Sequence, residues 1–186
     1  MQKDRQRNIL SQGDFTILVL NDKQIKHSIE SGLIRIDPFQ MKSLSPASYD
    51  LSFGSFQSIN MQDMHHGEVL EKDGYILVNP GESFLASTVE IVALPNHITA
   101  SLVNKSSTSR KGLFLGSPGW IDPGFVGQLT IAMKNETMSP IKLLYGQKLW
   151  QVVFEICEPA LQSYQGHYQE SKGIVEDQSG DETIEF

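Results

Sequence analysis

Cysteine is almost missing from this chain of 186 residues; Cys157 stands alone. One thiol builds neither an internal disulfide framework nor a multi-Cys zinc site, so a reducing compartment is the default. Long apolar runs are missing too. No stretch approaches the ~20 residues that span a bilayer. The opening MQKDRQRNILSQGD has no apolar segment of the signal-peptide kind. Positive charge is in short supply, with 15 Lys and Arg against 22 Asp and Glu and a net charge of −7. That balance excludes nonspecific adhesion to nucleic acid or anionic membrane, while leaving room for a small basic pocket. We expect a soluble, cytoplasmic protein with no nucleic-acid or membrane partner.

What is present is enough for one packed domain. Hydrophobic residues make up 39% and charged residues 20%. Residues 1–14 read as a loose leader, and Phe15–Leu20 as a short buried strand. Asn21 and Gln24 have capping-box spacing. Ile25, Ile29 and Leu33 follow at i, i+4 and i+8, and Gly32 is a stop signal, so a helix of about three turns starts here. After Pro38, strand-sized apolar pieces such as ASYDLSFG, GYILVNPG, SFLASTVEIVALP and KLWQVVFEI alternate with Gly, Pro, Asn and Asp. That rhythm predicts an all-β sandwich or barrel over residues 15–160. Residues 161–186 form a C-terminal arm and tail; from Glu170 on there are six acids against Lys172 alone.

Two clusters carry candidate chemistry. Asn104–Gly112 packs three cations, Lys105, Arg110 and Lys111, and four hydroxyls, Ser106 to Ser109, into nine residues. At a strand-to-helix junction these groups make a phosphate cradle; the plainer alternative is a helix start capped by serine. Gly116–Phe125 brackets Asp122 and the aromatics Trp120 and Phe125 with turn-formers. Glycine and proline let backbone approach a ligand, and the aromatics supply a wall. The alternative is a rigid hairpin whose Asp122 side chain closes its own turn. His65-His66 reads as a surface loop. P-loop, nucleophile-elbow and zinc-deaminase signatures are all missing.

LNDKQIKHSIESGLIRIDPF, PASYDLSFG, KSSTSRKGLFLGSPGWIDPGFVGQLTIAMKN and GQKLWQVVFE together resemble the dCTP deaminase and dUTPase superfamily. The helix and the W-I-D-P-G-F form are most similar to its deaminase branch, including bifunctional deaminase–dUTPases. The resemblance implies a distorted β-barrel or jelly roll with a short N-terminal helix, and a homotrimer with sites between subunits. Mg2+ rides on the phosphates of dCTP or dUTP, and a C-terminal arm closes over them.

Carried over by motif, Ser106 and Ser107 match the phosphate serines, and Lys105 replaces a family Arg. Arg110 matches the deaminase Arg that helps hold the attacking water, and Phe125 the aromatic beside the deoxyribose. Asp122 matches the hairpin Asp that activates water in dUTPases. The catalytic candidates are Asp122, Arg110 and Ser106. Nucleotide contacts are expected from Lys105, Ser106, Ser107, Arg110, Trp120, Asp122, Phe125, Gln151, Tyr164, Tyr168 and Lys172, with no direct metal ligand. Deaminases carry a general acid/base Glu where this chain has Ala132, and plain dUTPases carry a small apolar residue there. His167 and Ser171 stand where deaminases tend to have Lys and Gln. The implied activities are dCTP deamination to dUTP or dUMP, dUTP hydrolysis to dUMP, or nucleotide binding without turnover.

Overall fold

The computed structural model describes residues 18–59, 68–69, 74–116, 119–176 and 178. The whole leader 1–14, residues 15–17 of the expected first strand, His65-His66, Ser117-Pro118 and the end of the acidic tail lie outside the described residues.

Helix α1 (Asp22–Glu30) starts at the capping box that the sequence spells. Asn21 Oδ1 accepts the Gln24 N–H at 3.0 Å, and Gln24 Oε1 accepts the Asn21 N–H at 3.0 Å. The helix is shorter than expected, about two and a half turns. Ile25 is fully buried and Ile29 packs against the core, but Leu33 falls beyond the helix and is exposed. The break comes at Gly32, which adopts φ 75°. A second correction concerns β1 (Leu18–Val19). It pairs with β13 (Lys148–Ile156) but is exposed, and only Leu20 enters the core. A two-residue edge strand has too few neighbours to cover its faces.

The body is mainly β. It consists of β2 (Arg35–Asp37), β3 (Leu44–Ser45), β4 (Ser48–Ser58), β5 (Glu68–Val69), β6 (Tyr75–Val78), β7 (Ser83–Ala93), β8 (Ile98–Asn104), β9 (Leu113–Leu115), β10 (Gly119–Ile121), β11 (Val126–Asn135), β12 (Ile141–Leu144) and β13. A four-residue helix, α2 (Ser106–Ser109), follows β8. The main sheet runs β10-β8-β13-β4-β7-β11-β9, with β1, β2, β3 and β5 attached as extra pairings, and β6 and β12 form a separate ribbon. This curled sheet is the barrel-like architecture expected.

Alternation builds the core. Tyr49, Leu51 and Phe53 of β4 point inward, joined by Phe84 and Ala86 of β7 and by Val152 and Phe154 of β13. Trp150 is fully buried, and its indole N–H donates to Met133 Sδ at 3.3 Å. Burial raises the Tyr49 phenol above its ordinary value, and the hydroxyl stays neutral while accepting the Gln40 N–H at 2.8 Å.

Asn135 ends β11 and is fully buried. Its amide nitrogen lies 3.0, 3.1 and 3.0 Å from the carbonyls of Val78, Asn79 and Ser139, so one side chain ties the end of β6 to the connection between β11 and β12. Asn135→Ala is expected to remove one donor from these carbonyls and the acceptor of the Thr137 N–H, and to cost about 1–3 kcal/mol in urea unfolding. A loss indistinguishable from zero would show that water replaces the amide.

Candidate functional site

The hairpin expected over Gly116–Phe125 is instead a turn between strands that pair elsewhere, β10 with β8 and β11 with β7 and β9, and this turn is held from below. Trp120 sits opposite Ser101 of β8, and Ile121 opposite Ala100. Thr99 Oγ1 donates to the Ile121 carbonyl at 2.8 Å, and the Leu94 N–H donates to the Phe125 carbonyl at 2.9 Å. The turn closes through backbone, Phe125 N–H to Asp122 carbonyl at 3.1 Å. Its side chain does not close it, so the exposed carboxylate of Asp122 is free for other work.

Above this turn lies a cavity of about 720 Å³. Trp120, Asp122, Phe125, Ala132, Tyr164 and Tyr168 all line it, beside apolar Leu102, Ile121 and Leu129. Phe125 is buried with its ring 5.8 Å from that of Tyr164, whereas Trp120 is 61% exposed. Apolar walls with a few polar groups suit a flat ring carrying hydrogen-bonding edges. Asp122 is the one carboxylate among the lining residues, and Ala132 contributes a methyl.

The C-terminal arm roofs the cavity within the same chain. Ser171 bridges Gly127 in parallel register. The Glu170 N–H donates to the Val126 carbonyl at 2.7 Å, and the Gln128 N–H to the Ser171 carbonyl at 2.9 Å. Side chains of β11 finish the seam: Gln128 Oε1 accepts the Gly173 N–H at 2.6 Å, and Thr130 Oγ1 accepts the Val175 N–H at 3.0 Å. Gln128 and Thr130 were not anticipated, because neither stands out in an ordinary strand. Lys172 and His167 are exposed and do not line the cavity.

The phosphate-loop candidates sit elsewhere. Ser106, Ser107 and Arg110 are exposed on α2 and its C-terminal end, and none lines the cavity of its own chain. The serine-cap alternative does not hold. The residue preceding α2 is Lys105, which makes no capping bond, and Ser106 and Ser107 form no side-chain bond among the described residues. Lys105 is ion-paired with Asp50, and Gln151 Nε2 lies 3.1 Å from the other Asp50 oxygen. Both predicted nucleotide contacts therefore meet a carboxylate of their own chain. Asp50 itself escaped notice; it lies in SYDLSFG, which reads simply as an alternating strand.

The chain belongs to the dCTP deaminase-like family, whose model matches residues 19–157. It is 32% identical to a dUMP-forming dCTP deaminase of Aquifex aeolicus, covering 85% of this chain and 93% of that one. To a dCTP deaminase of Pyrococcus horikoshii it is 38% identical, covering 76% and 88%. Among solved structures, the 2'-deoxycytidine 5'-triphosphate deaminase of Agrobacterium tumefaciens superposes with a TM-score of 0.64 at 23% identity. That match covers 76% of this chain but spans only about half, 49%, of the Agrobacterium chain, and it shows the shared fold.

The arm approaches β11 where a side chain would stop it. A Cβ on Gly127 would stand 2.4 Å from Ser171 Oγ and 2.9 Å from its backbone nitrogen. Gly127→Val is expected to undock the arm while the barrel stays folded. Trypsin cleavage after Lys172 then accelerates severalfold in a timed digest; an unchanged rate would show that the seam does not depend on this contact.

Proposed function

We propose that this chain binds dCTP and dUTP, with base and deoxyribose in the Trp120–Phe125 cavity and the phosphates on Ser106, Ser107 and Arg110. Its chemistry is directed at phosphorus: hydrolysis of dUTP to dUMP and pyrophosphate. The observation that carries this reading is that one cavity is lined by Asp122 as its carboxylate and by Ala132 where a second carboxylate would be needed for deamination. Deamination without zinc needs a group that takes the water proton and returns it to the base, and a methyl does neither. Attack at phosphorus needs only a base beside the phosphate chain. Asp122 accepts the water proton, the water oxygen bonds to the α-phosphorus, and the bond to the bridging oxygen breaks as pyrophosphate leaves. Phe125, buried under Tyr164, supplies the wall against the sugar.

Mg2+ enters this scheme on the substrate. Among the described residues no group of three or more His, Cys, Asp or Glu converges. An oxygen-loving cation is then carried by the triphosphate, which suits its preference for phosphate and water ligands, and it offsets the phosphate charge.

Cavity and phosphate loop lie apart within one chain, and assembly as a homotrimer would join the loop of one subunit to the turn of the next. The trimer is expected to sediment near three times 20.8 kDa. A monomer at micromolar concentration in analytical ultracentrifugation would overturn the shared-site reading.

A second reading, conversion of dCTP to dUMP, is favoured by the identity to dUMP-forming deaminases over 85% of this chain. It requires another group to replace the carboxylate missing at Ala132. One assay separates the readings. The protein is incubated with dCTP and with dUTP in Mg2+, and dUTP, dUMP and pyrophosphate are resolved. We expect pyrophosphate from dUTP, lost in Asp122→Asn by 10²-fold or more, in the range of general-base losses. Uracil nucleotides formed from dCTP would establish the second reading. Tight binding of both nucleotides without turnover would assign a purely binding role.

A further inference from the structure

A polar stripe crosses one face of the sheet and ends at the phosphate loop. It begins at Glu90 of β7, which is fully buried. Glu90 accepts the Ser52 N–H at 2.8 Å and the Ser52 hydroxyl at 2.6 Å, with Lys148 Nζ at 3.5 Å. Next comes Asp50 of β4, opposite Gln151 of β13 in the strand register. One oxygen of Asp50 takes the ammonium of Lys105, and the other takes the Gln151 amide, which also lies 3.2 Å from Ser48 Oγ. The charges alternate across three strands and the start of α2: Glu90 minus, Lys148 plus, Asp50 minus, Lys105 plus. Lys105 is thus neutralised inside the protein. Arg110 and Lys111 beside it are exposed and make no ion pair among the described residues.

An incoming polyphosphate therefore meets a competitor. The side chains of Lys105 and Asp50 are only 22% and 13% exposed, so their attraction escapes much of the screening by water and salt. The two partners differ in freedom. Asp50 is pinned by Gln151, whereas lysine has a flexible stem and three donors that turn about its nitrogen. We propose that Asp50 sets the affinity of the nucleotide site: Lys105 exchanges its ammonium from the Asp50 carboxylate in the empty protein to a phosphate oxygen in the loaded one. This inference rests on the reading of Ser106, Ser107 and Arg110 as the phosphate loop.

Its signature is a gain. Removing the negative charge at position 50 leaves Lys105 uncompensated, so polyanions bind more tightly. A merely structural ion pair gives the opposite sign, since its loss loosens the loop. The full-length protein is titrated by calorimetry with inorganic tripolyphosphate and separately with dUTP, at low and high salt. Asp50→Asn is expected to bind both roughly threefold to tenfold more tightly, with a steeper salt dependence. In a Lys105→Gln background the same change is expected to bring no gain, the non-additivity that marks a direct coupling. Asp50→Ser, smaller and still able to accept from Gln151, serves where the asparagine variant does not fold, and the same gain is expected. Unchanged or weaker binding by a folded neutral variant overturns the proposal, as does an equal gain without Lys105. If Arg110→Ala weakens dUTP binding while Asp50→Asn leaves it unchanged, the exchange alone falls. If the unaltered protein binds neither anion, the phosphate-loop reading falls and takes this proposal with it.

Discussion

One strand has to serve two halves of this molecule. β4 pairs with β13 through Tyr49–Ser52 and with β7 through Phe53–Ser58, and its register with β7 shifts between Phe53 and Phe56. The crossing is tight. A Cβ on Gly54 would lie 3.1 Å from the Thr88 carbonyl oxygen, so glycine lets the strands approach. Beside it, Glu90 is buried where an unpaired charge would be costly, and both protons that Ser52 offers go to it. The curl of the sheet, the inward face of Tyr49, Leu51 and Phe53, and the position of Asp50 all follow from this crossing. Helix α2 is anchored to one of these strands, because Thr108 Oγ1 donates to the Leu149 carbonyl of β13 at 2.9 Å.

The other half of the site uses the opposite strategy. The cavity over β10 and β11 is roofed by an arm whose described residues carry no regular element beyond a single bridge at Ser171. Its bonds go to backbone and to the side chains of Gln128 and Thr130, and Tyr164 and Tyr168 add partly buried rings packed against the core. Such a segment opens at low cost compared with the core strands. A rigid crossing therefore positions charge, and a hydrogen-bonded arm covers the cavity.

Much of this was legible in the chain itself, for local reasons. The capping box at Asn21 and Gln24 fixes the start of α1, because both bonds lie within four residues. The punctuated apolar pieces give the strands, because alternation is a local pattern. The long motif from Lys105 to Asn135 marks the loop and the turn. What stayed hidden depends on distant partners. Leu18 and Val19 look like core residues until the edge position of β1 is known. Asp50 pairs with Lys105 across 55 positions, and Gln128 meets Gly173 across 45. No window of sequence contains both members of either pair.

The contrast between Asp122 and Ala132 shows how such a fold changes its chemistry without losing its shape. Ala132 is only partly buried; the adjacent Ile131 and Met133 point into the core and do the packing. A cavity-facing position on a strand carries little of the folding energy, so a carboxylate and a methyl are both compatible with the same sheet. Asp122 is freer still: its backbone closes the turn while its carboxylate stays in solvent. The barrel constrains where side chains point, while two weakly packed positions are free to differ in chemistry without disturbing the sheet.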